Sequence, residues 1–111
     1  MPTSASELTN YIQITREGVT LKGNIASIAY DFDIVGEAYT SDNAKAPVYR
    51  LFAKSPRGKR IEIGGIWKKQ NQNGGKYHTL TVNTGYGKLS ANLGRYPGQD
   101  DEDLMAVIPW D

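Results

Sequence analysis

The sequence predicts an all-β domain, a small antiparallel meander of about six or seven strands, closed into an OB-like barrel (the preferred form) or folded as a sandwich. Three observations lead there. Gly and Pro clusters at Gly18, Ser55-Pro56-Arg57-Gly58, Asn73-Gly74-Gly75, Gly85-Tyr86-Gly87 and Tyr96-Pro97-Gly98 recur too often for a long helix to run between them. The stretches they bound alternate apolar and polar residues with the period of two that a half-covered strand requires. Finally, 111 residues are enough for one hydrophobic core and too few for two.

Taken in order, residues 1–10 read as a tail or a short helical turn, because Ser4 precedes Glu7 in capping-box spacing, and residues 11–111 as the single β domain. Tyr11 to Thr15 makes a first strand, turning through Arg16-Glu17-Gly18. Val19, Leu21, Gly23 and Ile25 then alternate with one parity, and Ala26, Ile28, Tyr30, Phe32 and Ile34 with the other. That pattern predicts one strand from Ile25 to Val35, with a bulge or bend near Gly23 to Ser27. Near the end, Lys88 to Leu93 puts Leu89, Ala91 and Leu93 on one side. Asp100-Asp101-Glu102-Asp103 reads as a surface loop into Leu104 to Trp110, which is apolar on both faces until Pro109, as a covered strand or a chain-closing strand would be.

The middle of the chain allows a register argument. With Ser55 to Lys59 as a loop, Lys54 faces Arg60, Ala53 faces Ile61, Leu51 faces Ile63 and Tyr49 faces Gly65. With Gln70 to Gly75 as the next loop, Lys69 faces Lys76, Trp67 faces His78, Gly65 faces Leu80 and Ile63 faces Val82. Apolar positions align, which leaves Arg50, Phe52, Lys54, Arg60, Glu62, Gly64, Ile66, Lys68, Tyr77, Thr79 and Thr81 together on the opposite face.

Charge is segregated in the same way. From Lys45 to Arg95, eleven Lys and Arg stand against Glu62 alone, a net +10, while residues 1–44 carry −4 and residues 96–111 carry −5. A basic block attracts polyanions, although acidic flanks can neutralise it once folded. The outer face therefore suits single-stranded DNA or RNA: Arg50, Lys54, Arg60 and Lys68 for phosphates, Phe52 and Tyr77 as π faces for bases, and Arg57, Lys59, Lys69 and Lys76 extending the positive field. No recognition helix is visible for a double helix. The competing explanation is structural, with Phe52 and Ile66 covered by another segment and the cations snorkelling at a sheet edge. A second functional class uses the same face, with Ile66 and Phe52 exposed, to pair with a protein partner or a second copy.

Chemistry is sparse. With no Cys, disulfides, thiolate metal sites and Cys nucleophiles are excluded, and no cofactor or small-molecule substrate is indicated. His78 is expected as a packed ring opposite Trp67, neither catalytic base nor metal ligand. Asp31 and Asp33 read as a solvated strand face, and Gly85-Tyr86-Gly87-Lys88 as a turn, lacking the length and following helix of a phosphate loop. No catalytic constellation emerges, so the expectation is a non-enzymatic module. Without a signal peptide or an apolar run long enough for a membrane span, a cytoplasmic location is expected.

Several blocks resemble a known family. Ser41-Asp42-Asn43-Ala44-Lys45-Ala46-Pro47, Tyr49-Arg50-Leu51-Phe52-Ala53, Glu62-Ile63-Gly64-Gly65-Ile66-Trp67-Lys68-Lys69, Leu80-Thr81-Val82, Ala91-Asn92-Leu93 and Ile108-Pro109-Trp110 look like the bacterial domain-of-unknown-function family numbered 736. The similarity runs from about Tyr11 onward. It implies a compact β domain of bacterial, often mobile-element-associated origin, and it supplies no activity. Trp67, Lys68 and Lys69 belong to its pattern, with Trp67 expected on the core face.

Overall fold

In the computed structural model, which describes residues 8–43, 45–98, 101 and 103–110, eight antiparallel strands follow one another around a closed barrel. They are β1 (Tyr11–Ile14), β2 (Thr20–Ala26), β3 (Asp31–Ala38), β4 (Tyr49–Lys54), β5 (Arg60–Gln70), β6 (Lys76–Asn83), β7 (Lys88–Arg95) and β8 (Leu104–Pro109). The barrel form is the preferred one of the two expected, with one or two strands more. Residues 4–7 of the expected helical turn lie outside the described residues. As its double-sided apolar pattern suggested, β8 closes the ring, pairing with both β7 and β1.

Every second residue points inward, and Leu51, Ile66, Leu80 and Val82 are among the fully buried side chains. Each such burial stabilises the fold by about 1.5–3 kcal/mol. An eight-stranded interior has just enough room for its side chains. At Gly36 there is none to spare, since a Cβ would stand 2.7–2.9 Å from Leu21 and Leu51.

Two expectations fail. The single strand from Ile25 to Val35 is in fact the end of β2, a turn and the start of β3. Ser27 makes that turn: its N–H donates to Tyr30 O (2.6 Å), and its Oγ accepts from the N–H groups of Ala29 and Tyr30. Ile28, assigned by periodicity to the core, sits fully exposed at the tip. A serine hydroxyl here supplies what Gly or Pro usually signals.

The central register also shifts. Lys54–Arg60, Ala53–Ile61 and Phe52–Glu62 pair as expected, but a bulge between Leu51 and Phe52 then sets Leu51 against Gly64, Arg50 against Gly65 and Tyr49 against Ile66. Ile63 is the extra residue. The β5–β6 hairpin follows suit, pairing Lys68 with His78, Trp67 with Thr79 and Ile66 with Leu80. One inserted residue moves everything beyond it to the other face. Gly64, Ile66 and Lys68 therefore leave the predicted outer face, and Ile66 is 1% exposed in the core. Trp67 moves the other way, lying outside over Gly65, with Nε1 donating to Lys45 O at 3.0 Å.

Candidate nucleic-acid interface

The β4–β5 hairpin outruns its neighbours. On one side the β3–β4 ladder ends at Val35–Phe52, although β3 extends to Asp31 and β4 to Lys54. On the other the β5–β6 ladder ends at Gly64–Val82, although β5 extends to Arg60. Beyond Phe52 and Glu62 the two strands pair with each other alone, as a ribbon rising from the barrel wall. Its tip is a tight loop: Ser55 N–H donates to Lys59 O (2.7 Å) and Gly58 N–H to Ser55 O (2.8 Å). Pro56 presets the first turn position, and Gly58 takes φ 83°, the left-handed conformation that closes such loops.

The β4–β5 hairpin gathers six of the ten residues that the sequence singled out, Arg50 in the barrel wall and the other five on the ribbon or at its foot. Lys54, Arg57 and Lys59 make no ion pair among the described residues, whereas two arginines do. Arg50 grips Glu62 with two bonds of 2.8 Å, and Arg60 donates to Glu37 Oε1 at 2.6 Å. The Arg50 guanidinium holds the Glu62 carboxyl below the ordinary glutamate range, chiefly through that hydrogen bond. Phe52 lies beneath both arginines, with Arg60 Cζ 3.8 Å and Arg50 Cζ 5.6 Å from its ring centroid. Its π face is therefore covered. Two of the cations expected to meet phosphate are already neutralised, and Phe52 does not offer the open stacking platform predicted for it.

The remaining four, Lys68, Lys69, Lys76 and Tyr77, cluster at the far end of β5 around the loop of residues 71–75. At about 3.3 Å per residue, the two groups lie roughly 25–30 Å apart. Tyr77 points outward beside a groove of about 530 Å³ that it lines with Lys69, Asn71, Thr79, Asn92 and Trp110. Sequence reasoning missed Trp110, which is 56% exposed and held by a 2.9 Å bond from Nε1 to Asn92 Oδ1. Its place in the last strand suggested only closure. His78 faces Lys68 and Leu93 rather than Trp67, and burial first, then the Lys68 charge, lowers its pKa.

Around the ribbon's foot the barrel end is apolar. Phe32, Ala53, Ile61 and Ile63 line a pocket of about 410 Å³ rimmed by Lys54, Ser55, Pro56, Glu62, Asn83, Thr84 and Gly85. A crevice of about 350 Å³ where β3 and β4 part shares Phe32, Ala53 and Lys54 with it. Asp31 and Asp33, beside it, are exposed, and both carboxylates accept from the buried amide of Asn24 at 2.8 and 3.4 Å. Gly85-Tyr86-Gly87 is a turn, with Thr84 N–H donating to Gly87 O at 2.9 Å. No group of three or more His, Asp or Glu suited to a metal occurs among the described residues.

The family described as Protein of unknown function (DUF736) matches residues 11–110, nearly the whole chain. The chain belongs to that family. This DUF736 domain is a closed all-β barrel, and the resemblance had implied a compact β domain. No curated protein and no solved structure matches it. No helix long and apolar enough to cross a membrane occurs among the described residues.

Proposed function

We propose that this DUF736 domain is a non-enzymatic nucleic-acid-binding module that grips the sugar-phosphate backbone of single-stranded DNA or RNA with its β4–β5 ribbon. One observation carries the reading: Lys54, Arg57 and Lys59, without acidic partners among the described residues, stand on a ribbon clear of both neighbouring strands. Unpaired cations on a projecting element attract phosphate without first breaking an internal ion pair. Lys68, Lys69, Lys76 and Tyr77 extend the footprint toward the other end of β5. The assembly alternative relied on Ile66 and Phe52, of which the first is in the core and the second lies under arginine. A cytoplasmic location, on the DNA or RNA of a mobile element, fits this role.

Fluorescence anisotropy with a labelled single-stranded oligonucleotide across a salt series tests it. Three phosphate contacts give log affinity falling against log salt with a slope of about −2. The combined Lys54→Glu, Arg57→Glu and Lys59→Glu variant removes binding while keeping the wild-type melting temperature. Absence of binding at low salt, or unchanged affinity in the variant, overturns the proposal.

A further inference from the structure

We infer that the pocket at the foot of the ribbon receives an unstacked nucleobase while the ribbon's cations hold the strand from which it turns. This rests on the reading of the domain as a nucleic-acid binder and adds what it does with the bases.

The pocket exists because the wall is open. With β4 and β5 paired only to each other beyond Phe52 and Glu62, the ribbon's inner residues Ala53 and Ile61 face Phe32 across a space that no strand fills. Ile61 remains 49% exposed, an apolar side chain with room for an apolar partner. The volume, about 410 Å³, lies within the range of small-ligand sites, for which barrel mouths are a common location. Aromatic rings lead to it. Tyr86, 76% exposed, stacks on Tyr30 (5.7 Å, 18°), and Tyr30 meets Phe32 in the pocket wall (5.7 Å, 42°). Bases stack on such rings whatever their identity.

Polar groups for a base edge are also present. Hydrogen-bonded pairs alternate along an antiparallel ladder, and Tyr39 N–H donates to Val48 O at 2.9 Å. Counting back in twos, the N–H and C=O of Asp33 and Lys54 point into the crevice beyond Val35–Phe52, where the ladder has ended. Apolar walls, backbone donors and acceptors beyond the end of the ladder, and cations at the lip match one chemistry: a flat group with polar edges carried on an anionic thread. Within a duplex that group is stacked and paired, so the pocket selects single strands.

The test compares a short labelled oligothymidylate with a strand of equal length built of abasic sites, both against the wild-type domain. Loss of stacking makes the abasic strand bind roughly 5- to 150-fold more weakly, with an unchanged salt slope. Ile61→Asn, at a half-exposed position that folding tolerates, brings the two affinities together by weakening only the thymidylate. Equal wild-type affinity for both strands, or preference for a duplex, overturns the base pocket and leaves backbone binding standing. Failure of both strands to bind at low salt overturns backbone binding as well.

Discussion

Gly64→Ala probes the bulge that gives the ribbon its direction. At Gly64 a Cβ would overlap Thr81 O and stand 2.8 Å from Thr81 C and 2.9 Å from Val82 Cα, all of them backbone atoms. Carbon contacts relax near 3.5 Å, so β5 and β6 must part by at least about half an ångström at their last ladder pair. Overpacking of this kind costs about 1–3 kcal/mol, and a weakened ladder bond about 1 kcal/mol more. Lower chain entropy in the unfolded state returns about 0.5–1 kcal/mol. The net loss, about 2 kcal/mol at the middle of these ranges, lowers the melting temperature by roughly 10–15 °C in a domain of this size. Gly58→Ala is the control: φ is 83° there but nothing lies within 4 Å of the added Cβ. It costs only the left-handed penalty of about 1–2 kcal/mol, or roughly 5–10 °C. Thermal denaturation by circular dichroism measures both. A Gly64→Ala protein melting within a few degrees of wild type, or above Gly58→Ala, would refute the steric account of the bulge.

Three further outcomes are expected. Ile66→Ala destabilises the domain by about 2–5 kcal/mol in urea denaturation while Ile61→Ala costs under about 1 kcal/mol, and comparable losses would contradict the shifted register. Because burial lowers the His78 pKa, the neutral ring is the one the fold favours; stability is full above the unfolded value near 6.5 and declines as pH falls from there through the folded value. His78→Gln should flatten that part of the urea midpoint–pH curve. The Glu62 carboxyl, held low by Arg50, contributes stability above its unfolded pKa that is lost as pH falls through the folded one, and in Arg50→Gln its NMR titration midpoint rises toward the ordinary glutamate value.

Much of the barrel was legible because its strands speak locally. β7 announces itself by alternation, β8 by its run of apolar residues, β1 by the turn at Gly18 that ends it, and the loop Ser55 to Lys59 by Pro56 and Gly58. The turn at Ser27 was not, since a hydroxyl rather than a glycine makes it. The bulge at Ile63 was hidden by its own sequence: Ile63-Gly64-Gly65-Ile66 offers an isoleucine to the core in either register. At the candidate site, the grouping of Arg50, Phe52, Lys54 and Arg60 follows from hairpin pairing. Neutralisation of Arg60 by Glu37 does not, because that acid arrives from β3, which nothing local ties to the hairpin. The open seam beside the ribbon depends on where two ladders stop, a property of the closed ring and not of any one segment.

Closure by β8 imposes a schedule on folding. Tyr11, at the start of the first strand, pairs with Ala106 in the last, so that contact spans nearly the whole domain. Until Leu104–Pro109 leaves the ribosome, β1 and β7 each present an unpaired edge and the nascent meander has no finished interior. Such long-range pairing makes for slow folding, and during synthesis this domain depends on its final strand arriving before those edges find other chains.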